Sequence, residues 1–540
     1  MSDISKTPQD GKSPDEIPTA ATTQTPPVAV QAPAGGTQAL DIQNPVTNIA
    51  SKIRAEGIIV HRTGKTEKLE DTFAEIVDCL NGGEEHPRYP LNDIGIAALF
   101  ADAYRGELRF VPERKQWYRY DGGKWVPDNG SAMEYAKALT QELKYLASIL
   151  TSDDIGKYIQ TVVNRWQTRR ARETMLKDAA TIYPINMSDF DKNPFLLNCL
   201  NGTLDMRNGT FRLHHPDDLL SKMANVAYDP TADCPRWRKH IEEVMQGDAD
   251  KALYLQQALG YALTGATNFE CFFILYGATS RNGKGVTMET FKSLMGDYGC
   301  VARPETISQK DSANGSAANE DIARLAGARF VNISEPDKKM VLSSALVKTL
   351  TGNDTITARY LYENSFEYRP AFKLFVNTNY LPTVTDATVF KSGRVKIIPF
   401  ERHFEPWEQD RGLKELFAQP QNLSGILIWC LYGLVSLYHN GFVEPAAVKT
   451  AISQYEQESD KMACYIDDVL EASPGSEVIT TTAYEQYCQW CNANGYKFGS
   501  LGTFKKELAA YAEVKRKRPA GQPKANPLSM ILGYKFKTGA

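Results

Sequence analysis

A glycine-bearing turn with a lysine follows the apolar run Cys271 to Tyr276 and precedes helix-spaced Met288, Phe291 and Leu294. It reads Gly277, Ala278, Thr279, Ser280, Arg281, Asn282, Gly283, Lys284, Gly285, Val286 and Thr287. A turn from strand to helix exposes successive backbone N–H groups and a helix N-terminus, which together bind phosphate oxygens. Lys284 would reach the β- and γ-phosphates of a nucleotide. The match has two departures. Ala278 stands where the first glycine usually sits, and Gly285 replaces the Ser or Thr whose hydroxyl holds Mg²⁺. Thr287 or a water is the expected substitute for that oxygen. Alone, such a string is often only a turn.

Three further residues extend the pattern. The apolar run Arg329 to Ile333 ends in Ser334-Glu335. A carboxylate at a strand's carboxyl end can orient an attacking water and help hold Mg²⁺. The run Lys373 to Val376 ends in Asn377, Thr378 and Asn379, where an amide can sense the γ-phosphate. Arg394 precedes a third run to Phe400 and could neutralise a neighbour's transition-state charge. Each alone has an ordinary reading: a solvated Glu, turn chemistry at Asn, a surface ion pair at Arg. Their order gives the functional reading its weight.

These residues need a frame. The 540 residues exceed one core and suggest about three or four domains. Apolar residues at 42% and charged ones at 23% are ordinary for a soluble globular chain. A net charge of −4 excludes a generally basic nucleic-acid coat but not a local basic surface. Nine scattered cysteines make no disulfide scaffold. The lone Cys488-x-x-Cys491 pair reads as packed helix rather than a zinc site, and no structural metal is expected. The longest uncharged apolar run, Leu423 to Tyr438, falls short of the ~20 residues that span a bilayer. A buried core helix and no membrane partner are expected. No signal peptide is read at the start, so the expected location is cytoplasmic.

Residues 1–55, rich in Pro, Thr, Gln and Ala, read as a disordered tail, and 56–91 as a helical linker. From Asn92 to 234 an α+β domain is expected. Within it Leu108 to Tyr120 and Lys124-Trp125-Val126 form an aromatic hairpin, its rings more often sheet packing than base-stacking surfaces. Two short strands, Thr203 to Met206 and Thr210 to Leu213, follow. Residues 235–404 alternate apolar strands and helices, as a mainly parallel α/β sheet requires. A helical extension covers 405–458. Residues 459–540 have the size and order of a winged helix, with Lys515, Arg516, Lys517 and Arg518 in its basic wing. Such a wing contacts duplex DNA or is merely a solvated turn.

The strings 277–285 (GATSRNGKG), 323–338 (ARLAGARFVNISEPDK), 347–382 (through TGNDTITARYLY to FVNTNYLP) and 394–400 (RVKIIPF) resemble, in order and spacing, the superfamily 3 helicases. The resemblance is to the phage and plasmid helicase–primase group related to the poxvirus replicative helicase. It spans Asn92 to Gly533, including a helicase-associated segment, 193–209. It implies a multidomain α/β protein with a central AAA+-like P-loop ATPase domain, an N-terminal helicase-associated domain and a C-terminal winged helix. By it, Lys284 is the Walker A lysine, Glu335 the catalytic acid, Asn379 the sensor and Arg394 the arginine finger. Many relatives have paired arginines where this chain has Gly393-Arg394. Asp337 lies in the following acidic loop without an assigned role.

The implied activity is ATP-dependent translocation on single-stranded DNA during phage- or plasmid-type replication in a bacterial host cell. ATP and Mg²⁺, the latter at Glu335 and Thr287, sit between subunits of a hexameric ring. A hairpin near Thr357 to Arg369 would line the channel, with Arg359 and Tyr360 as contacts; Arg359 could instead tie subunits together. The segment before Asn92 is too short for a primase, so a separate primase is an expected partner. A second reading is an ATP-switched origin-binding initiator with little unwinding. A third is a scaffold with a degenerate site.

Overall fold

A computed structural model of the chain describes residues 57–62, 65–82, 87–150, 154–309, 320–336, 340–361, 364–384, 386, 388–494, 496, 498–518 and 526–537. The expected tail, residues 1–55, and Asp337 lie outside them. Four apolar runs and one short edge strand form the central sheet: β1 (Phe272–Tyr276), β2 (Gly299–Ala302), β3 (Phe330–Ser334), β4 (Lys373–Thr378) and β5 (Val395–Pro399). All pairings are parallel and the spatial order is β2-β3-β4-β1-β5. Parallel strands need both faces covered, which is why these runs are mostly apolar. Alternate side chains separate cleanly. Phe273, Leu275, Phe330, Phe375 and Ile398 enter one buried cluster, and Phe272, Ile274, Val331, Leu374, Val376 and Ile397 the other.

The first face is covered by helices α1 (Pro235–Val244), α2 (Ala249–Leu263), α3 (Lys284–Met295) and α4 (Pro420–Asn440). By length and composition α4 could cross a membrane, yet half of it is buried within the protein, as a core helix would be. It crosses α2 backbone to backbone. A Cβ on Gly260 would stand 2.4 Å from the Leu434 nitrogen, and one on Gly433 2.2 Å from the Gln256 oxygen. Only glycines permit that approach.

Two buried cations close the amino-terminal edge of the sheet. Arg329 donates to the carbonyls of Leu263 and Leu196 at 2.8 Å each and lies 4.3 Å over the Tyr298 ring. Lys373 donates to the carbonyls of Thr264 at 2.5 Å and Ala266 at 2.9 Å and lies 4.5 Å from the Tyr261 ring centre. Burial holds its amine well below the usual lysine range. Both answer carbonyls at the end of α2, where the helix dipole is negative.

The expected domain boundaries move in two places. Residues 56–91 are more than a helical linker. They contain a hairpin, Ile59–Arg62 with Lys65–Lys68, and the helix Leu69–Asn81. Leu69, Phe73 and Ile76 of that helix share a core with Phe100, Leu139 and Val163, because its apolar face needs burial. The meander Leu196–Cys199, Gly202–Asp205 and Thr210–Arg212 sits before the expected boundary at 234. Its Leu197, Cys199 and Leu204 nevertheless pack in the same cluster as α1, α2 and α4. The aromatic hairpin is a three-stranded meander, Leu108–Val111, Gln116–Tyr120 and Trp125–Pro127. Tyr118 and Trp125 are buried there against Phe190, which is sheet packing.

The C-terminal unit runs helix Lys461–Val469, strand Leu470–Ile479, helices Thr480–Asn494 and Leu501–Leu508, then strands Val514–Lys517 and Leu528–Phe536. The strands form one antiparallel sheet with Leu528–Phe536 in the middle. Cys488 and Cys491 lie on a helix as free thiols.

Candidate active site

The loop 277–283 leaves β1 and enters α3 at Lys284. Gly283 caps α3 with φ +83°, and a Cβ there would stand 2.3 Å from Val244 Cγ1. Both facts demand glycine. The early glycine also has a reason. A Cβ on Gly277 would meet Asn282 Nδ2 at 2.4 Å, the Phe400 carbonyl at 2.5 Å and Lys284 Nζ at 2.9 Å. Gly277 therefore does what the usual glycine at 278 would do, and Ala278 stands exposed. Thr279, Ser280 and Arg281 are exposed too, while Asn282 is buried and donates to the Thr279 carbonyl at 2.6 Å, bracing the loop from inside.

Lys284 folds back over this turn. Its amine donates to Asn379 Oδ1 at 2.8 Å and to the Gly277 carbonyl at 3.2 Å. Burial lowers its pKa to about 8. Both partners are neutral oxygens, so an arriving polyphosphate would supply a charge partner and favour the ammonium form. Glu335 follows β3, exposed, with φ +53°. A non-glycine residue in the left-handed region is strained, and its N–H is held at 2.9 Å by the Asn377 carbonyl of β4. Lys284, Asn379 and Glu335 thus converge at the carboxyl ends of β1, β4 and β3.

Thr287 does not offer the oxygen expected of it. It is fully buried one turn into α3, and its hydroxyl meets the Gly283 carbonyl and His240 Nε2, each at 3.0 Å. Three residues beyond Lys284, a helix turns the side chain toward the core. Gly285 and Val286 are half-buried, and nothing lies within 4 Å of a Cβ built on Gly285. At the carboxyl end of β3 the Glu335 carboxylate and the neighbouring Ser334 hydroxyl are oxygens that could hold Mg²⁺. That set suits a cation carried largely by nucleotide phosphates and water. Among the described residues no group of three or more His, Cys, Asp or Glu is placed to hold a metal.

Arg394 stands apart, before β5 and so at the opposite edge of the sheet. It pairs with Glu270 at 2.5 Å and donates to Thr351 Oγ1 at 2.9 Å. The five residues of β5 put it roughly 16 Å from the loop of its own chain. The expected hairpin exists as Ile356–Ala358 with Phe366–Tyr368. Arg359 and Tyr360 are half-buried beside it. Tyr360 donates to the Ala323 carbonyl at 2.9 Å and stacks on Phe366 under Arg114. Lys515, Arg516 and Lys517 lie on a strand rather than in a turn. Arg518 ends it, and all four are exposed. Lys515 pairs with Glu513 and Lys517 with Glu477.

Two histidines in this region had no role in the sequence reading: His240 has no matching metal-ligand partner in sequence, and His403 lies in no motif. His240 of α1 backs the loop through Thr287, and burial lowers its pKa to about 4. His403, beyond β5, contacts the Ser280 carbonyl through Nδ1 at 2.9 Å. Neither has a local motif; each reaches the loop only through the fold.

Residues 97–246 match the family described as D5 N terminal like, and residues 457–536 the Poxvirus D5 protein-like family. "Putative helicase 022R" of Frog virus 3 is 28% identical over 543 residues, covering 75% of this chain and 55% of that protein. "Putative helicase L207/L206" of Acanthamoeba polyphaga mimivirus is 27% identical over 358 residues, covering 62% and 37%. "Putative helicase 121R" of Invertebrate iridescent virus 3 is 24% identical, covering 70% and 47%. The chain spans about half the length of these relatives or less. The apo C-terminal region of NrS-1 (305–718) aligns with a TM-score of 0.44 at 12% identity, over 83% of this chain and 100% of that one. Two segments of the chain thus resemble D5-type domains, and the viral relatives it resembles are named putative helicases.

Proposed function

We propose that this chain is the ATP-driven motor of a replicative DNA helicase, hydrolysing ATP at the Lys284 loop and moving along single-stranded DNA. The observation that carries the reading is the Lys284–Asn379 contact beside Glu335. A γ-phosphate entering there replaces Asn379 as the lysine's partner. The freed amide then holds the terminal phosphate and the attacking water, and Glu335 orients that water and draws its proton. Glu335 and Ser334 would hold Mg²⁺ brought in with the nucleotide, which would supply neutralisation of the charge that develops on the phosphates. The strand order β2-β3-β4-β1-β5 supports an AAA+-like core, because β4 separates the loop strand from the acid strand.

Arg394 faces away from its own loop, which suits action on a neighbour's nucleotide in a ring, most simply a hexamer. The helix and strand order of residues 461–536 supports a winged helix, with Lys515 to Arg518 toward duplex DNA and the hairpin 356–368 toward a single strand. A separate primase and the host cytoplasm belong to the same proposal. The second reading, an ATP-switched origin initiator, draws on the missing hydroxyl at Gly285. ATP turnover by the purified chain, with and without single-stranded DNA, separates them. Turnover stimulated by DNA and absent in Lys284→Ala supports the motor. Slow turnover indifferent to single strands, with sequence-specific duplex binding, supports the initiator. Turnover retained in Lys284→Ala overturns the site.

A further inference from the structure

The geometry points to the segment 400–408, which runs from β5 along the outer side of the phosphate loop, as the element that recognises the nucleobase. His403 reads an adenine amino group and Trp407 offers a stacking face. This inference rests on the nucleotide reading of the Lys284 loop and adds the base selectivity that the loop itself lacks.

The direction of the bound nucleotide follows from the sheet. Asn379 and Glu335 end β4 and β3, on one side of β1, and mark where the terminal phosphate lies. β5 flanks β1 on the other side. A nucleotide with its terminal phosphate toward β4 and β3 therefore sends its nucleoside toward the β5 side. The segment that leaves β5 is fastened there residue by residue. Phe400 N–H donates to the Tyr276 carbonyl at 2.6 Å and Phe404 N–H to the Arg281 carbonyl at 2.9 Å. Between them His403 Nδ1 meets the Ser280 carbonyl at 2.9 Å.

A carbonyl only accepts, so Nδ1 carries the proton in this contact. In the tautomer with Nδ1 protonated, Nε2 is an acceptor, and no protein hydrogen bond uses it among the described residues. An acceptor there suits the amino group of adenine and opposes the carbonyl oxygen that guanine carries at the same place.

The following turn is braced by contacts among its own residues. Arg402 pairs with Glu408, whose carboxylate also accepts from the Glu405 N–H at 2.9 Å. Gln409 donates to the Phe404 carbonyl at 2.9 Å. The residue this turn holds up is Trp407, 81% exposed. A braced turn that keeps a large aromatic in water has the form of a pre-organised stacking surface.

The test is calorimetric titration of the full chain with ATP, GTP and inorganic tripolyphosphate. Wild type is expected to bind tripolyphosphate through the loop and ATP about ten-fold more tightly than GTP. His403→Asn keeps an amide N–H where Nδ1–H stood and lacks Nε2; it should erase the ATP preference and leave tripolyphosphate binding unchanged. Trp407→Ala should weaken both nucleotides roughly ten-fold, as loss of one base–aromatic stack does, again sparing tripolyphosphate. Equal affinity for ATP and GTP in wild type overturns the base assignment. So do variants that weaken tripolyphosphate as much as ATP, or a Trp407→Ala variant that changes only the oligomeric state. Failure of wild type to bind tripolyphosphate, or retention of that binding in Lys284→Ala, is a separate outcome that overturns the loop assignment beneath it.

Discussion

Acidification should loosen the phosphate loop through one side chain, His240. Its imidazole is buried between Trp237 and Phe417, with ring centres 5.7 and 5.6 Å away, and its Nε2 meets Thr287. Desolvation is the main cause of its low pKa and Arg236 adds to it, giving about 4 against an unfolded value of 6.5. The open chain therefore binds a proton that the closed one refuses. Stability is full above pH 6.5 and falls as pH drops toward 4. Between pH 7.5 and 5.0 this linkage removes about 2 kcal/mol, and its limit is about 3 kcal/mol. The assay is hydrogen exchange of peptides covering 235–244 and 277–287, corrected for intrinsic rates, which reads local opening rather than global unfolding. Wild type should lose roughly 2 kcal/mol of opening free energy over that interval. His240→Gln, which does not titrate, should lose far less. Equal pH dependence in the two proteins would refute the assignment to His240.

Gly433→Ala drives a methyl into the Gln256 carbonyl where α4 crosses α2. Overpacking of this kind costs about 1–3 kcal/mol, so the melting midpoint should fall by several degrees; an unchanged midpoint would mean the helices part freely. Lys373→Met leaves the Thr264 and Ala266 carbonyls unanswered inside the protein, for about 2 kcal/mol of lost stability in urea titration. A more stable variant would show instead that desolvation of the amine dominates. Arg394→Ala and Lys284→Ala subunits should each be inactive in ATP hydrolysis yet regain activity when mixed, because each supplies what the other lacks. A mixture that stays inactive counts against action in trans.

The central strands were legible because burial on both faces makes their runs mostly apolar, with single polar residues such as Asn332 and Lys396 too few to hide the pattern. Cys271 to Tyr276, Arg329 to Ile333 and Lys373 to Val376 correspond to β1, β3 and β4 within two residues. β2, the short edge strand Gly-Cys-Val-Ala, was not, since four mixed residues carry no period. Strand order was also out of reach, being set by crossovers rather than by local pattern. At the candidate site, the places of Asn379 and Glu335 just beyond strands and of Lys284 at the head of a helix were legible, because apolar runs mark the strands and the glycine turn marks the helix start. Thr287 misled for the opposite reason: nearness in sequence says little about which face of α3 a hydroxyl takes. His240 precedes the loop and His403 follows β5, so only the packed sheet brings both beside it. The stretch 56–91 looked like a linker because its apolar face is short, and its partners, Phe100 and Leu139, come later in the chain.

The decisive experiment is strand separation. A forked DNA duplex is offered to the purified chain with ATP and Mg²⁺, beside the Glu335→Gln variant, which keeps the loop and loses the acid. ATP-dependent displacement is expected from wild type and none from the variant, with nucleotide binding intact in both. Unwinding that persists in Glu335→Gln, or a wild type that hydrolyses ATP without separating strands, would contradict the motor reading.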